Sequence, residues 1–229
     1  TASGHFASAL GMTADASGHG SVALGPTAKS SGEAGVAIGV ESQASAKRAT
    51  AVGSVAKAAG ENATALGAWS NAANYNATAI GSEAQAIDDY ALAMGYRSKA
   101  SGIASNAIGW NAGATAHDAT AIGSGAKAYG WSSFAQGSSA LASGDKSISI
   151  GDSSKATADR SIAIGDEAST DNQSASNTST TKTQTNKQSI AIGPRTQAWG
   201  DQSTAIGNNV KSSGNSSVAI GGDDIVIVT

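Results

Sequence analysis

At 229 residues the chain is long enough for one or two ordinary globular domains, but aromatic residues make up only 4% of it and cysteine is absent. That composition excludes a thick core of large side chains and a disulfide framework. A net charge of −3, with both signs mixed along the chain, argues against a nucleic-acid or anionic-membrane partner held by bulk charge.

Read from its start, the chain repeats one pentad: small, variable, Ala, aliphatic, Gly. The pentad ends at Gly11, Gly25, Gly39, Gly53, Gly67, Gly81, Gly95, Gly109, Gly123, Gly137, Gly151 and Gly165, always fourteen residues apart. After one double step it resumes at Gly193, Gly207 and Gly221. A fixed period of this length identifies a solenoid, in which each repeat covers the next. The strict period also sets the Gly- and Ser-rich composition apart from that of a disordered chain.

Positions are counted here from the pentad glycine as zero. Position −2 is Ala in every pentad except for Ser149, and −4 is always small, as at Ser21, Gly35, Ala49 and Ser217. Positions −3 and −1 carry Val, Ile, Leu or Thr with few exceptions. Residues two apart share one face of a strand, so this strand has a small face and a bulky one. A turn follows the glycine, and both prolines, Pro26 and Pro194, stand at +1 where a fixed φ suits it. A second short strand carries Ala, Ser or Thr at +3 and +5, and a frequent Gly at +7 marks the second corner. The expectation is an all-β chain of about fifteen coils: a parallel β-roll whose interior holds positions −4, −2, +3 and +5.

The bulky residues then point outward. They are Val22, Leu24, Val36, Ile38, Val52, Leu66, Ile80, Ile108, Ile122, Phe134, Gln136, Ile150, Ile164, Ile192, Ile206 and Ile220. An apolar ridge of this length is far larger than a soluble monomer normally exposes, so another chain should cover it. Phe134, Gln136 and Asn106 interrupt the pattern and read as register devices, with hydrogen bonding among Gln136 copies offsetting their burial.

Ser217-Val218-Ala219-Ile220-Gly221, with its relatives at 161–165 and 189–193, resembles the repeats of YadA-like heads in trimeric autotransporter adhesins. The resemblance covers essentially the whole chain. It implies a left-handed roll, a side-by-side homotrimer with the Val and Ile columns buried between protomers, and display on the outer membrane of a Gram-negative bacterium. It also implies virulence-related adhesion to host extracellular matrix or host cells, with autoaggregation as an added activity. No enzyme activity and no cofactor follow from it. The preferred Asn ahead of the pentad is only occasional, at Asn62, Asn76 and Asn215. A basic neck motif is not visible, so residues 1–229 read as a single head domain cut from a longer chain, touching a membrane only through an anchor outside this piece.

Several features could carry recognition. The double step suggests a loop projecting at about 171–187, with Lys182 and Lys187 on it; loops on rigid scaffolds are where recognition concentrates. Position +4 carries Lys29, Lys57, Lys99, Lys127, Lys155 and Lys211, and +8 carries Glu33, Glu61, Asp89, Asp145, Asp159 and Asp201. Such stripes either orient a charged partner, a matrix protein or a glycosaminoglycan, or simply keep the solenoid soluble. Trp69, Trp110 and Trp131 stand at corners, where aromatics either anchor a ligand or pack on a neighbouring protomer. His5, His19 and His117 read as isolated, leaving catalysis without a nucleophile or ligand set. Two other classes compete with the adhesin reading. A left-handed β-helix acyltransferase would need hexapeptide periodicity and a catalytic His between chains. An ice-binding solenoid is suggested by Thr50, Thr64, Thr78 and Thr120 at −3, in a column that Leu92, Asn106 and Phe134 break.

Overall fold

A computed structural model describes residues 1–170, 188–222 and 226–227. The chain divides into two units, Thr1–Thr115 and Ala116–Thr229. Both are parallel β-solenoids, and no helix occurs among the described residues.

In the first unit each coil has a three-residue strand at −3 to −1, from Ser8–Leu10 through Val22–Leu24 to Asn106–Ile108, and a two-residue strand at +4 and +5, from Asp15–Ala16 to Gly113–Ala114. Equivalent residues stack in register. Thr78, Ala79 and Ile80 pair with Leu92, Ala93 and Met94, and Gln85 and Ala86 pair with Lys99 and Ala100. The second unit repeats the plan from Thr120–Ile122 to Val218–Gly222. There the double step is absorbed between two adjacent coils: Ile162–Ile164 pairs directly with Ile190–Ile192. Ala168 and Thr170 fill the buried +3 and +5 places before the insertion, and Ser169 bridges Lys155 and Gln197. The proposed loop, with Lys182 and Lys187, lies outside the described residues.

The interior is the expected one. Ala at −2, as in Ala65, Ala79 and Ala93, is wholly buried, as are the +3 and +5 side chains of the same coils. Positions five apart meet across the roll: −2 faces +3, and +5 faces the next −4. The one pentad with Ser at −2 shows the rule. Ser149 Oγ lies 2.7 Å from Ser154 Oγ, so the extra hydroxyl has a buried partner. A Cβ added at Gly35 would stand 2.8 Å from Ser30 Oγ, so the smallest −4 residue sits opposite a serine. Such close packing of small groups replaces the thick core that the composition excludes.

The pentad glycine has two causes. At Gly81 φ is +124°, a region open essentially to glycine alone, and an added Cβ would lie 2.7 Å from the carbonyl oxygen of Gly95. The glycine therefore lets successive coils close up at the first corner. Each corner also holds a residue in left-handed conformation, at +2 and at −5, and here most are not glycine: Val55, Trp69, Glu83 and Arg97 have φ between 55° and 60°. Their N–H groups remain in the inter-coil ladder, as when Arg97 N–H donates to the Ser82 carbonyl at 3.1 Å and Tyr90 N–H to that of Tyr75 at 2.9 Å. This explains the occasional Asn ahead of the pentad. Asn62 and Asn76 occupy the left-handed −5 place, which Asn tolerates better than most residues. Asn215 stands one position earlier and does something else, described below.

Candidate functional site

Each coil presents two outward faces and two corners. The three-residue strands point their −3 and −1 side chains out. Leu24, Leu66 and Ile220 are exposed, and Val36, Ile38, Val52, Ile80, Ile108, Ile122, Ile150, Ile164 and Ile206 are half-buried. Val22 and Phe134 are half-buried, whereas Gln136 and Ile192 are exposed. Leu24, Leu66, Ile192 and Ile220 of these columns stay more than a third exposed in the single chain.

The two-residue strands point +4 outward. In the first unit Lys29, Lys57 and Lys99 are exposed and alternate with Gln43, Asn71 and Gln85. In the second unit the stripe changes character. Leu141 stands between Lys127 and Lys155 in the ladder, and both lysines are half-buried. Burial lowers the pKa of the Lys127 ammonium. Lys127 is therefore not the freely solvated charge that its place in the repeat suggests.

The second corner carries the acidic +8 column, and the chain uses most of it internally. The +8 N–H lies where neither strand supplies a carbonyl, and the next coil's +8 side chain accepts from it. Asp89 Oδ1 takes the Tyr75 N–H at 3.1 Å, Asp145 Oδ1 that of Trp131 at 2.8 Å, and Asp159 Oδ1 that of Asp145 at 3.1 Å. Asn215 does the same for Asp201 at 3.0 Å. Glu33 instead pairs with Lys47 at 3.1 Å, and Glu61 with Arg48 at 3.9 Å. The hydrogen bond and charge of Lys47 hold the Glu33 carboxyl below the ordinary range. The acidic stripe is thus largely structural.

The corner aromatics are exposed. Trp69 (62%) and Trp110 (58%) stand on the first corner and Trp131 (55%) on the second. Arg97, also on the first corner, is held by Glu83 at 2.7 Å and lies 5.0 Å from the Tyr96 ring centre. The hydrogen bond from Arg97 keeps the Glu83 carboxyl below its ordinary pKa and raises that of the guanidinium. The histidines are less isolated than their spacing implies. His5 and His19 stack at 5.6 Å beside Phe6, because fourteen residues bring equivalent positions together. His117 Nδ1 lies 2.7 Å from Asp118 Oδ2 and 3.3 Å from Trp131 Nε1. No group of three or more His, Cys, Asp or Glu able to hold a metal ion occurs among the described residues, and no helix long and apolar enough to cross a membrane occurs among them.

The family model of the YadA head domain repeat matches residues 2–28, 16–42, 30–56, 58–84, 86–112, 114–140, 128–152, 142–168 and 185–209. No curated protein matches the chain. Among solved structures, the collagen-binding domain of the Yersinia adhesin YadA is similar at 24% identity, over 85% of this chain and 70% of that one, with a TM-score of 0.34.

Proposed function

We propose that this chain, which belongs to the YadA head domain repeat family, is the head of a bacterial surface adhesin that works as a side-by-side homotrimer and attaches to host extracellular matrix or host-cell receptors without catalysing a reaction. The observation that carries the assembly is the outward apolar face. Leu24, Leu66 and Ile192 are over a third exposed in the single chain, and columns of this size call for a partner surface. A second copy of the same in-register ladder offers matching side-chain spacing, and three copies close the surface on itself around an axis. Phe134 and Gln136, on one strand, then each meet their copies at one level near that axis, one set apolar and one hydrogen-bonded.

The candidates for host contact are the face lysines and the corner aromatics Trp69, Trp110 and Trp131, since most of the acidic column is spent on the chain's own backbone and on Lys47 and Arg48. This reading puts the chain at the outer surface of the bacterium, with autoaggregation through the same exposed faces. Solid-phase binding of the purified protein to collagen, fibronectin, laminin and host-cell surfaces tests it, with sedimentation equilibrium alongside. The expected result is saturable binding to at least one of them by a species of three times 22.2 kDa. A monomer that binds none contradicts the reading.

A further inference from the structure

The first unit contains six basic residues, and the structure divides them into two sets. Lys47, Arg48 and Arg97 lie on the corners and are paired with Glu33, Glu61 and Glu83. Lys29, Lys57 and Lys99 lie on the two-residue strands and are exposed, and their ammonium groups have no ion pair or hydrogen bond among the described residues. Their surroundings are small or uncharged side chains and nearly free of acid. The ladder runs Asp15, Lys29, Gln43, Lys57, Asn71, Gln85, Lys99 and Gly113 in register. Its single carboxylate, Asp15, accepts from Thr1 Oγ1 at the far end. The neighbouring outward column at +6 is Ser17, Ser31, Ser45, Ala59, Ala73, Ile87, Ser101 and Thr115. With one exception it is too small to hold a ligand off the sheet.

We infer that this face is a binding surface for an extended anionic polysaccharide lying along the stacking direction. Unpaired cations facing a polyanion gain more than cations that must first give up a carboxylate partner. Lys29 and Lys57 are two strands apart, about 10 Å at ~4.8 Å per strand, a distance on the scale of one disaccharide of an extended chain. Between them Gln43 offers amide donors and acceptors to hydroxyls, as Asn71 and Gln85 do between Lys57 and Lys99. Single-stranded nucleic acid fits less well, because its bases need aromatic side chains to stack on and neither outward column of this face contains one. The inference deepens the adhesin reading and rests on it for its setting at a cell surface.

The test is retention on immobilised heparin as a salt gradient rises, comparing two triple variants that each take the net charge from −3 to −6. One is Lys29→Gln/Lys57→Gln/Lys99→Gln on the face; the other is Lys47→Gln/Arg48→Gln/Arg97→Gln on the corners. The unaltered protein is expected to stay bound at about 0.15 M NaCl. The face variant should elute below that salt and the corner variant above it, and lysine-to-arginine replacement on the face should restore retention. Circular-dichroism melting confirms that each variant is folded; if the corner variant is not, Lys47→Gln and Lys57→Gln, equal in charge, are compared instead. Passage of the unaltered protein without retention overturns the inference. Equal loss from the two variants overturns it also, since bulk charge then suffices. So does equal retention on poly-glutamate or single-stranded DNA, which would make the face a general polyanion surface. A protein retained on heparin that binds no host matrix or cell would sink the adhesin reading and leave this assignment standing.

Discussion

Each coil has two outward faces built on one interior of Ala, Ser and Gly. On the side of the three-residue strands the outward side chains are mostly Val, Ile, Leu and Thr; at +4 on the other they are mostly Lys, Gln and Asn. The backbone conformation, the stacking and the layer of small residues behind are shared. What differs is only the residues that the interior does not constrain. Folding is therefore governed by the side chains that face inward and the backbone that turns the corners, and the outward side chains are free to vary. This is why a strict period coexists with variable columns: −2 departs from Ala only at Ser149, whose hydroxyl meets Ser154 across the roll, whereas +4 passes through Asp, Lys, Gln, Asn, Gly, Leu and Ser.

The largest effect comes from the corner that both faces depend on. Gly81→Ala forces a side chain into a backbone region nearly closed to it and against the Gly95 carbonyl. It should cost about 3 kcal/mol or more in urea unfolding. A change under about 1 kcal/mol would show that coils can separate at the corner without loss.

Next comes the contrast between the faces themselves. Ile122→Asp places a carboxylate on the apolar face, where assembly would bury three of them unpaired, at a cost of several kcal/mol. Lys57→Ala, a solvated charge without a partner, should change stability by less than about 0.5 kcal/mol. Lys57 serves this comparison better than the half-buried Lys127. Equal melting temperatures for the two variants would mean the faces are reversed.

The smallest effect sharpens the account of the corners. Val55 is a β-branched residue at φ 58° on the first corner, where a left-handed conformation costs about 1–2 kcal/mol. Val55→Asn should raise stability by roughly 1 kcal/mol, read as a higher melting temperature, because Asn tolerates that conformation. A lower melting temperature would mean that contacts of the Val55 side chain outweigh its backbone strain.

The sequence makes the coil and its inner and outer positions legible, because size and alternation at −4, −2, +3 and +5 leave one way to fill a narrow roll. Other features need stacking geometry to be seen. The left-handed corners are hidden because Val55, Trp69, Glu83 and Arg97 share no chemistry; only Asn62 and Asn76 hint at them. The capping by Asp89, Asp145 and Asp159 is hidden because nothing in the period says that the +8 N–H lacks a strand partner. The pairing of Lys47 with Glu33 and the stacking of His5 on His19 depend on contacts fourteen residues apart, which become readable once the period is taken as a neighbour rule. The double step is legible as an insertion, since Ile162 meets Ile190 in register.

The contrast between the faces can be measured directly because the chain has no cysteine, so a single introduced thiol reports one place. Leu66→Cys marks the apolar face at a position 44% exposed in the single chain; Lys57→Cys marks the polar face in the preceding coil. Maleimide labelling of the folded protein should proceed at the rate of a free thiol at position 57. At position 66 it should be at least tenfold slower, and recover that rate after unfolding in urea. Equal rates at the two positions in the folded protein would contradict the claim that copies of this chain cover the apolar face and leave the polar one free.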